Sequence, residues 1–228
     1  MQKRVIRRLD LELFLSQIGL HPSPSPSLEQ YTIDVNTAAT MLYIAAYNYN
    51  GITGKSVLDL GCGTGRLALG AAFLGAKQVV GVDIDSTAIK LAFENSVRTS
   101  FKTKVQLITA DIDVIHGKFD TVLQNPPFGV RKRKADRNFL KKALEVGKHV
   151  YSLHKSLQTD KSYIKTVKTS NLLTTSPNPF LERFIKSCGG EIKAVYAMIM
   201  EIPHMFSFHK RKKHEFVVDL YVIERANW

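Results

Sequence analysis

Asn125-Pro126-Pro127-Phe128-Gly129 follows the apolar run Phe119-Asp120-Thr121-Val122-Leu123. These residue types are suited to holding a planar amino group still while its nitrogen attacks an electrophile. The Asn125 side-chain carbonyl accepts one hydrogen bond and the Pro126 backbone carbonyl a second. Neither proline carries an N–H, and both have a restricted φ, so the turn is stiff and offers few competing donors. Phe128 adds an apolar face on which a base can stack, a contact worth roughly 1–3 kcal/mol in single-stranded nucleic-acid sites. Asn-Pro is also ordinary strand-ending punctuation, so the neighbouring residues must decide between the two readings.

Asp59-Leu60-Gly61-Cys62-Gly63-Thr64-Gly65 stands between the apolar strand pattern Lys55–Leu60 and a helical pattern. Glycines let the backbone approach a ligand, and a helix start favours negative charge. A dinucleotide fingerprint would carry a further glycine where this chain has Arg66. With Asp59 ahead of the glycines, the pattern resembles the S-adenosylmethionine loop of Rossmann-like methyltransferases. Asp83 ends the second strand pattern, where a carboxylate accepts from ribose hydroxyls. Asp111 ends the third and is placed to accept from an adenine amino group; a helix cap is the plain alternative for either. Asp85 reads as the cap of the following helix.

The elements that must position these residues alternate. Strands are expected at Lys55–Leu60, Gln78–Val82, Val105–Thr109, Thr121–Gln124, Val150–Leu153, Ile192–Ile202 and Glu215–Glu224. Helices are expected at Asn36–Asn48, Arg66–Phe73, Ser86–Val97, Phe139–Lys148 and Phe180–Ser187, the last stopped by Gly189-Gly190. The fold class is therefore α/β: a Rossmann-like, mainly parallel seven-stranded sheet covered by helices on both faces. The last two strands lack a helix between them and should form a hairpin, which makes the final strand antiparallel. Residues 1–27 read as an N-terminal extension to a domain spanning 28–228. In it, Lys3 to Ile18 forms an amphipathic helix with Val5, Leu9 and Leu13 on its apolar side, and His21 to Ser27 forms a Pro/Ser linker.

Hydrophobic residues make up 44% of the 228, enough for one sizeable core. The 32 Lys and Arg against 20 Asp and Glu leave a net charge of +12, which favours a polyanionic partner, nucleic acid first. Arg131-Lys132-Arg133-Lys134 directly follows the amino-group turn, and Lys210-Arg211-Lys212-Lys213 occupies the expected hairpin tip. Both, with Lys155, are candidate phosphate contacts; dense charge on a solvated loop is the alternative. Cys62 and Cys188 belong to no CxxC pair, and His204, His209 and His214 lack ligand spacing, so no metal site is expected. No run approaches the ~20 apolar residues of a membrane span, and a reducing, cytoplasmic compartment is expected.

Taken together, Leu28-Glu29-Gln30-Tyr31, Asn125-Pro126-Pro127-Phe128-Gly129, Val150-Tyr151-Ser152-Leu153-His154-Lys155-Ser156 and Phe208-His209-Lys210 resemble the small methyltransferase-like family that methylates N6 of an adenosine in small-subunit ribosomal RNA. The resemblance covers nearly the whole chain. It implies S-adenosyl-L-methionine as cofactor. Gln30, Tyr31 and Thr32 would close over its methionine end, and Gly61, Cys62, Gly63, Thr64 and Gly65 would form its loop. Asp59 and Asn125 would also contact the cofactor, Asp83 with Ile84 would take the ribose, and Asp111 with Ile112 the adenine. Asn125, Pro126, Pro127 and Phe128 would hold the target base. It also implies RNA, in the form of rRNA or the small ribosomal subunit, as partner, and a small zinc-bearing activator protein. Where the family carries Pro-Thr after Tyr31, this chain reads Thr32-Ile33, and its Leu157–Pro179 segment is longer.

Three rivals share the Asn-Pro-Pro-Phe chemistry: DNA adenine-N6, RNA guanine-N2 and protein-glutamine methylation. A non-catalytic RNA-binding adaptor with the same fold is the alternative outside enzymes. Ser152, His154 and Lys155 invite a hydrolase reading, but no G-x-S-x-G elbow accompanies them.

Overall fold

Val57, Leu58 and Leu60 are fully buried, as expected of a strand covered on both faces. They belong to β1 (Ser56–Leu60), the centre of the parallel half of the sheet. The computed structural model describes residues 5–25, 29, 30, 32–128, 135–203, 213–226 and 228. β1 pairs with β2 (Gln78–Asp83) on one side and β4 (Phe119–Gln124) on the other. β3 (Val105–Thr109) flanks β2, and β5 (Gly147–Lys155) flanks β4, all in parallel.

Beyond β5 the direction changes. β8 (Lys213–Arg225) inserts antiparallel between β5 and β7 (Gly190–Pro203). The two-residue β6 (Leu173–Thr174) caps the far edge, giving the order β3-β2-β1-β4-β5-β8-β7-β6. Among the described residues the sheet therefore has eight strands, not seven. The additional strand is too short to carry an alternating pattern, and β7 defines it by pairing Leu173 with Ala197.

One face is covered by α1 (Arg8–Ser16), α2 (Val35–Tyr43) and α3 (Arg66–Phe73). Asp34 caps α2 by accepting from Thr37 N–H at 2.9 Å, and a π-helical turn over Ile44–Asn48 continues it. α4 (Ser86–Arg98) packs near β2 and β3. The other face carries α5 (Ala135–Val146) and α7 (Pro179–Ser187) against Leu58, Val122, Val150 and Tyr221. α6 (Lys161–Ser170) fills part of the long segment after Leu157 and packs Val167 against Ala197 and Val217.

The N-terminal helix turns a different face inward from the one expected. Leu11, Phe14, Leu15 and Ile18 are buried, whereas Val5, Leu9 and Leu13 are 59, 58 and 57% exposed. The helix carries two apolar stripes, and the aromatic partners select one. Phe14 stacks on Phe73 with centroids 4.3 Å apart, and Phe101 meets it edge-on. α5 also begins before Phe139, and β5 follows it without a loop.

Candidate active site

The C-terminal ends of β1 to β4 enclose a cavity of about 290 Å³. Its floor is the glycine loop. Gly61, Gly63 and Gly65 all adopt left-handed φ, at 70, 53 and 86°, which L side chains resist. This geometry points the N–H groups of Gly61 and Cys62 at the Val82 carbonyl, both at 2.9 Å. Gly63 N–H donates to Asp83 Oδ2 at 2.8 Å, and Asp85 N–H to Asp83 Oδ1 at 2.9 Å. Burial raises the Asp83 carboxyl, partly offset by those N–H groups.

Asp59 lies beneath the loop, 1% exposed. Its Oδ2 accepts from Ala68 N–H at 2.8 Å, while Oδ1 is buried without a partner among the described residues. Burial pushes its pKa up to about 7, opposed by the Ala68 N–H and reinforced by Asp83. An unpaired carboxylate oxygen in the wall of a cavity is matched by a cationic donor. Cys62 touches the same space, but burial and both aspartates hold its thiol well above the ordinary range, which suppresses the nucleophilic thiolate.

Of the residues singled out from sequence, Gln30, Thr32, Thr64, Ile84, Asp111 and Ile112 also line the cavity. Asp111 additionally caps a 3-10 turn over Ile112–Val114, accepting from Asp113 N–H at 3.0 Å. Asn125 and Pro127 form the wall beyond β4. Asn125 Oδ1 is buried and has no hydrogen-bond partner among the described residues. Gly65, Pro126 and Phe128 stand outside the lining; Phe128 is half-buried and meets Phe216 edge to face.

Behind Asn125, Gln124 Nε2 donates to Ser152 Oγ at 2.8 Å, and Ser152 Oγ lies 2.8 Å from His154 Nε2. His154 is 4% exposed, and burial lowers its pKa to about 4, so the ring is neutral at pH 7. The Ser–His pair is thus enclosed framework behind the Asn125 turn.

Beside Gln30 and Thr32, sequence reasoning missed His21 and Arg66, which also close the N-terminal side. His21 Nδ1 accepts from Ser23 N–H at 3.1 Å, which turns Nε2 toward Asp85. That Nε2 stands 3.2 Å from Asp85 Oδ2, without a well-aligned hydrogen bond. Gln30 Nε2 donates to the same Oδ2 at 2.7 Å, and Ser25 N–H donates to Gln30 Oε1 at 2.6 Å. Burial pushes Asp85 up, but Gln30, the Thr87 and Ala88 N–H groups and His21 outweigh it and hold the carboxyl low. Asp85 accepts from Thr87 N–H, so the expected helix cap is present and also latches the Pro/Ser strap.

Arg66, read from sequence only as a missing glycine, is 6% exposed. Its guanidinium donates to the carbonyls of Ile33 and Ile18, joining both ends of the N-terminal strap to the start of α3. The signal available in the sequence was the absence of glycine; nothing there named the carbonyl partners.

The profile of the ribosomal protein L11 methyltransferase (PrmA) family matches residues 36–126, from α2 to the Asn125 turn. An rRNA N6-adenosine-methyltransferase of Danio rerio, METTL5, is 31% identical, covering 92% of this chain and 95% of its own. The chain belongs to the rRNA N6-adenosine-methyltransferase family. An uncharacterised protein of Methanocaldococcus jannaschii is 36% identical over 98% of this chain and 97% of its own. A crystal structure from Pyrococcus horikoshii, provisionally named an RNA methyltransferase, superposes with a TM-score of 0.81 at 33% identity, covering 97% and 99% of the two chains.

S-adenosyl-L-methionine is the cofactor of this rRNA N6-adenosine-methyltransferase family member. The residues present fit it: a buried acceptor at Asp59 Oδ1, a ribose-height carboxylate at Asp83 and an open acceptor at Asn125 Oδ1 share one cavity. Of the expected nucleic-acid contacts, Lys155 is exposed at the end of β5. Tyr31, Arg131, Lys132, Arg133, Lys134, Lys210, Arg211 and Lys212 lie outside the described residues, as does the side chain of Lys213. Among the described residues no helix is long and apolar enough to cross a membrane.

Proposed function

We propose that this chain methylates N6 of an adenosine in small-subunit ribosomal RNA, in the cytoplasm, with residues 28–228 as the catalytic domain and 1–27 as its extension. The observation that carries the reading is Asn125 Oδ1, a buried acceptor with no partner among the described residues, at the end of β4 and beside the cofactor cavity. An exocyclic amine is a poor nucleophile because its lone pair is delocalised into the ring. Acceptors at Asn125 Oδ1 and Pro126 O bind the two amine hydrogens and favour pyramidal nitrogen. When bound, the cofactor supplies an electrophilic methyl group. Positioning and electrostatics then suffice without a strong general base.

In this reading the Asp59 Oδ1 acceptor meets the methionine ammonium, Asp83 the ribose hydroxyls, and Asp111 with Ile112 the adenine. Gln30 and Thr32 close the methionine end. Phe128 supports the flipped base and offsets part of its unstacking. The Arg131–Lys134 and Lys210–Lys213 clusters contact phosphates.

A small zinc-bearing activator would add a strand to the β3 edge. The support is that β3 pairs only with β2 among the described residues, and that Phe93, Val97 and Ile108 beside it are 45, 51 and 39% exposed. Labelled methyl transfer to small-subunit rRNA, total RNA and DNA, followed by nucleoside mass spectrometry, tests the reading. N6-methyladenosine from rRNA is expected; N2-methylguanosine as sole product overturns it.

A further inference from the structure

α6 lies on the projecting part of the β7–β8 hairpin. Ser152 on β5 is level with Gln124 on β4, so Lys155 stands at the same end of the sheet as the Asn125–Phe128 turn. Val218 on β8 pairs with Lys155, and the preceding residues of β8 continue past that end. Side chains alternate along a strand. Phe216 turns to one face and touches Phe128, while Val217 turns to the other and packs under Val167 of α6. The helix is therefore mounted on the reverse of the strand that braces the amino-group turn.

Its buried side is small: Val167, with Tyr163, Ile164 and Leu173 partly buried around it. Its outer side presents Lys161, Lys165 and Lys168, exposed and spaced by four and three residues, which aligns them on one helical face. From Lys155 to Ser170 there are four lysines and one acid, Asp160, a net +3. Asp160 is occupied as the α6 cap, accepting from Tyr163 N–H at 2.8 Å. Lys168 pairs with Glu215, while no carboxylate pairs with Lys155, Lys161 or Lys165 among the described residues. The hydroxyls of Thr166 and Thr169 donate to the carbonyls of Ser162 and Lys165, so the outward donors are the ammonium groups.

We infer that α6 is a separate RNA-binding element whose Lys161–Lys165 stripe holds the phosphate backbone of RNA flanking the target nucleotide. The inference rests on the reading of the chain as an RNA methyltransferase. Charge complementarity selects the occupant. The partner is a polyanion already delivered to this end of the sheet, and compact ammonium groups on a helix bind phosphate as point charges. Each contact releases counterions, so the stripe contributes to the salt dependence of binding and not to base choice.

The test is Lys161→Ala with Lys165→Ala, beside Lys161→Arg with Lys165→Arg. Alanine favours helix and both sites are exposed, so folding is preserved. The probe is protein-free small-subunit rRNA. The alanine pair should bind it about 5–20-fold more weakly at about 0.1 M salt, with a log–log salt slope shallower by about 2. The arginine pair should match the wild type, and cofactor affinity should be unchanged in both. An alanine pair with wild-type rRNA affinity and slope overturns the inference. Failure of the parent reading is distinct: the wild type itself would then form no N6-methyladenosine.

Discussion

Phe128 and Phe216 meet edge to face, with ring centroids 5.7 Å apart and planes at 85°. One ring belongs to the turn proposed to hold the target base and the other to β8, so the hairpin braces the proposed base platform. Aromatic pairs of this kind contribute about 0.5–1.5 kcal/mol beyond burial. Phe216→Ala should lower kcat with rRNA by about 3–10-fold and leave cofactor affinity intact. Steady-state kinetics with calorimetry check this; weakened cofactor binding would place the contact elsewhere.

Asn125→Ala removes the side-chain acceptor while retaining both prolines. The expected loss in rate is about 10²–10³-fold, as for removal of one preorganised polar group at a reacting centre. Single-turnover methylation at saturating RNA measures it. Full turnover by a variant that still binds RNA would exclude the acceptor role.

Asp59 gives a pH prediction of definite sign. Its folded pKa of about 7 lies above the ordinary value of 3.8. The folded state therefore holds a proton that the unfolded state releases between those values. Stability is retained below 3.8 and lost as pH rises through about 7. At roughly 1.4 kcal/mol per pH unit, the deficit at pH 8 is on the order of a few kcal/mol. Asp59→Asn should raise the melting temperature of the cofactor-free protein at pH 8, with little effect near pH 4, and should weaken cofactor binding. Wild-type cofactor affinity should itself tighten as pH rises through about 7. Thermal melts and calorimetry across pH decide both; a variant no more stable at pH 8 contradicts the burial argument.

His21→Ala tests the strap. Loss of the ring beside Asp85 removes one of the two side chains that converge on Oδ2 and should raise the cofactor dissociation constant by about 2–10-fold, the scale of one polar contact. Limited proteolysis should show earlier cleavage within residues 21–30. Unchanged affinity and protection would make the strap incidental to binding.

The cavity at the ends of the parallel strands was legible in the sequence because short loops after patterned strands line it. Asp59, Gly61, Asp83, Asp111 and Asn125 each lie at or just past the end of a strand whose apolar pattern marks it, and all five reach the cavity. On the N-terminal side only Gln30 and Thr32 were legible. Leu9 and Leu13 satisfy a helical stripe as well as Leu11 and Leu15, and only Phe73 and Phe101, distant in sequence, choose between them. His21 and Arg66 were opaque for the same reason: their partners, Asp85 and two backbone carbonyls, are chosen by tertiary closure.

The insertion of β8 between β5 and β7 bears on biosynthesis. β6 and β7 leave the ribosome first, yet among the described residues they join the sheet only through β8. The nascent chain can assemble its parallel half early, while the hairpin that braces Phe128 must wait for β8 to emerge. On the proposed reading, the chain would thus lack a braced base platform while still being translated, and acquire it after the segment carrying Phe216 has been released.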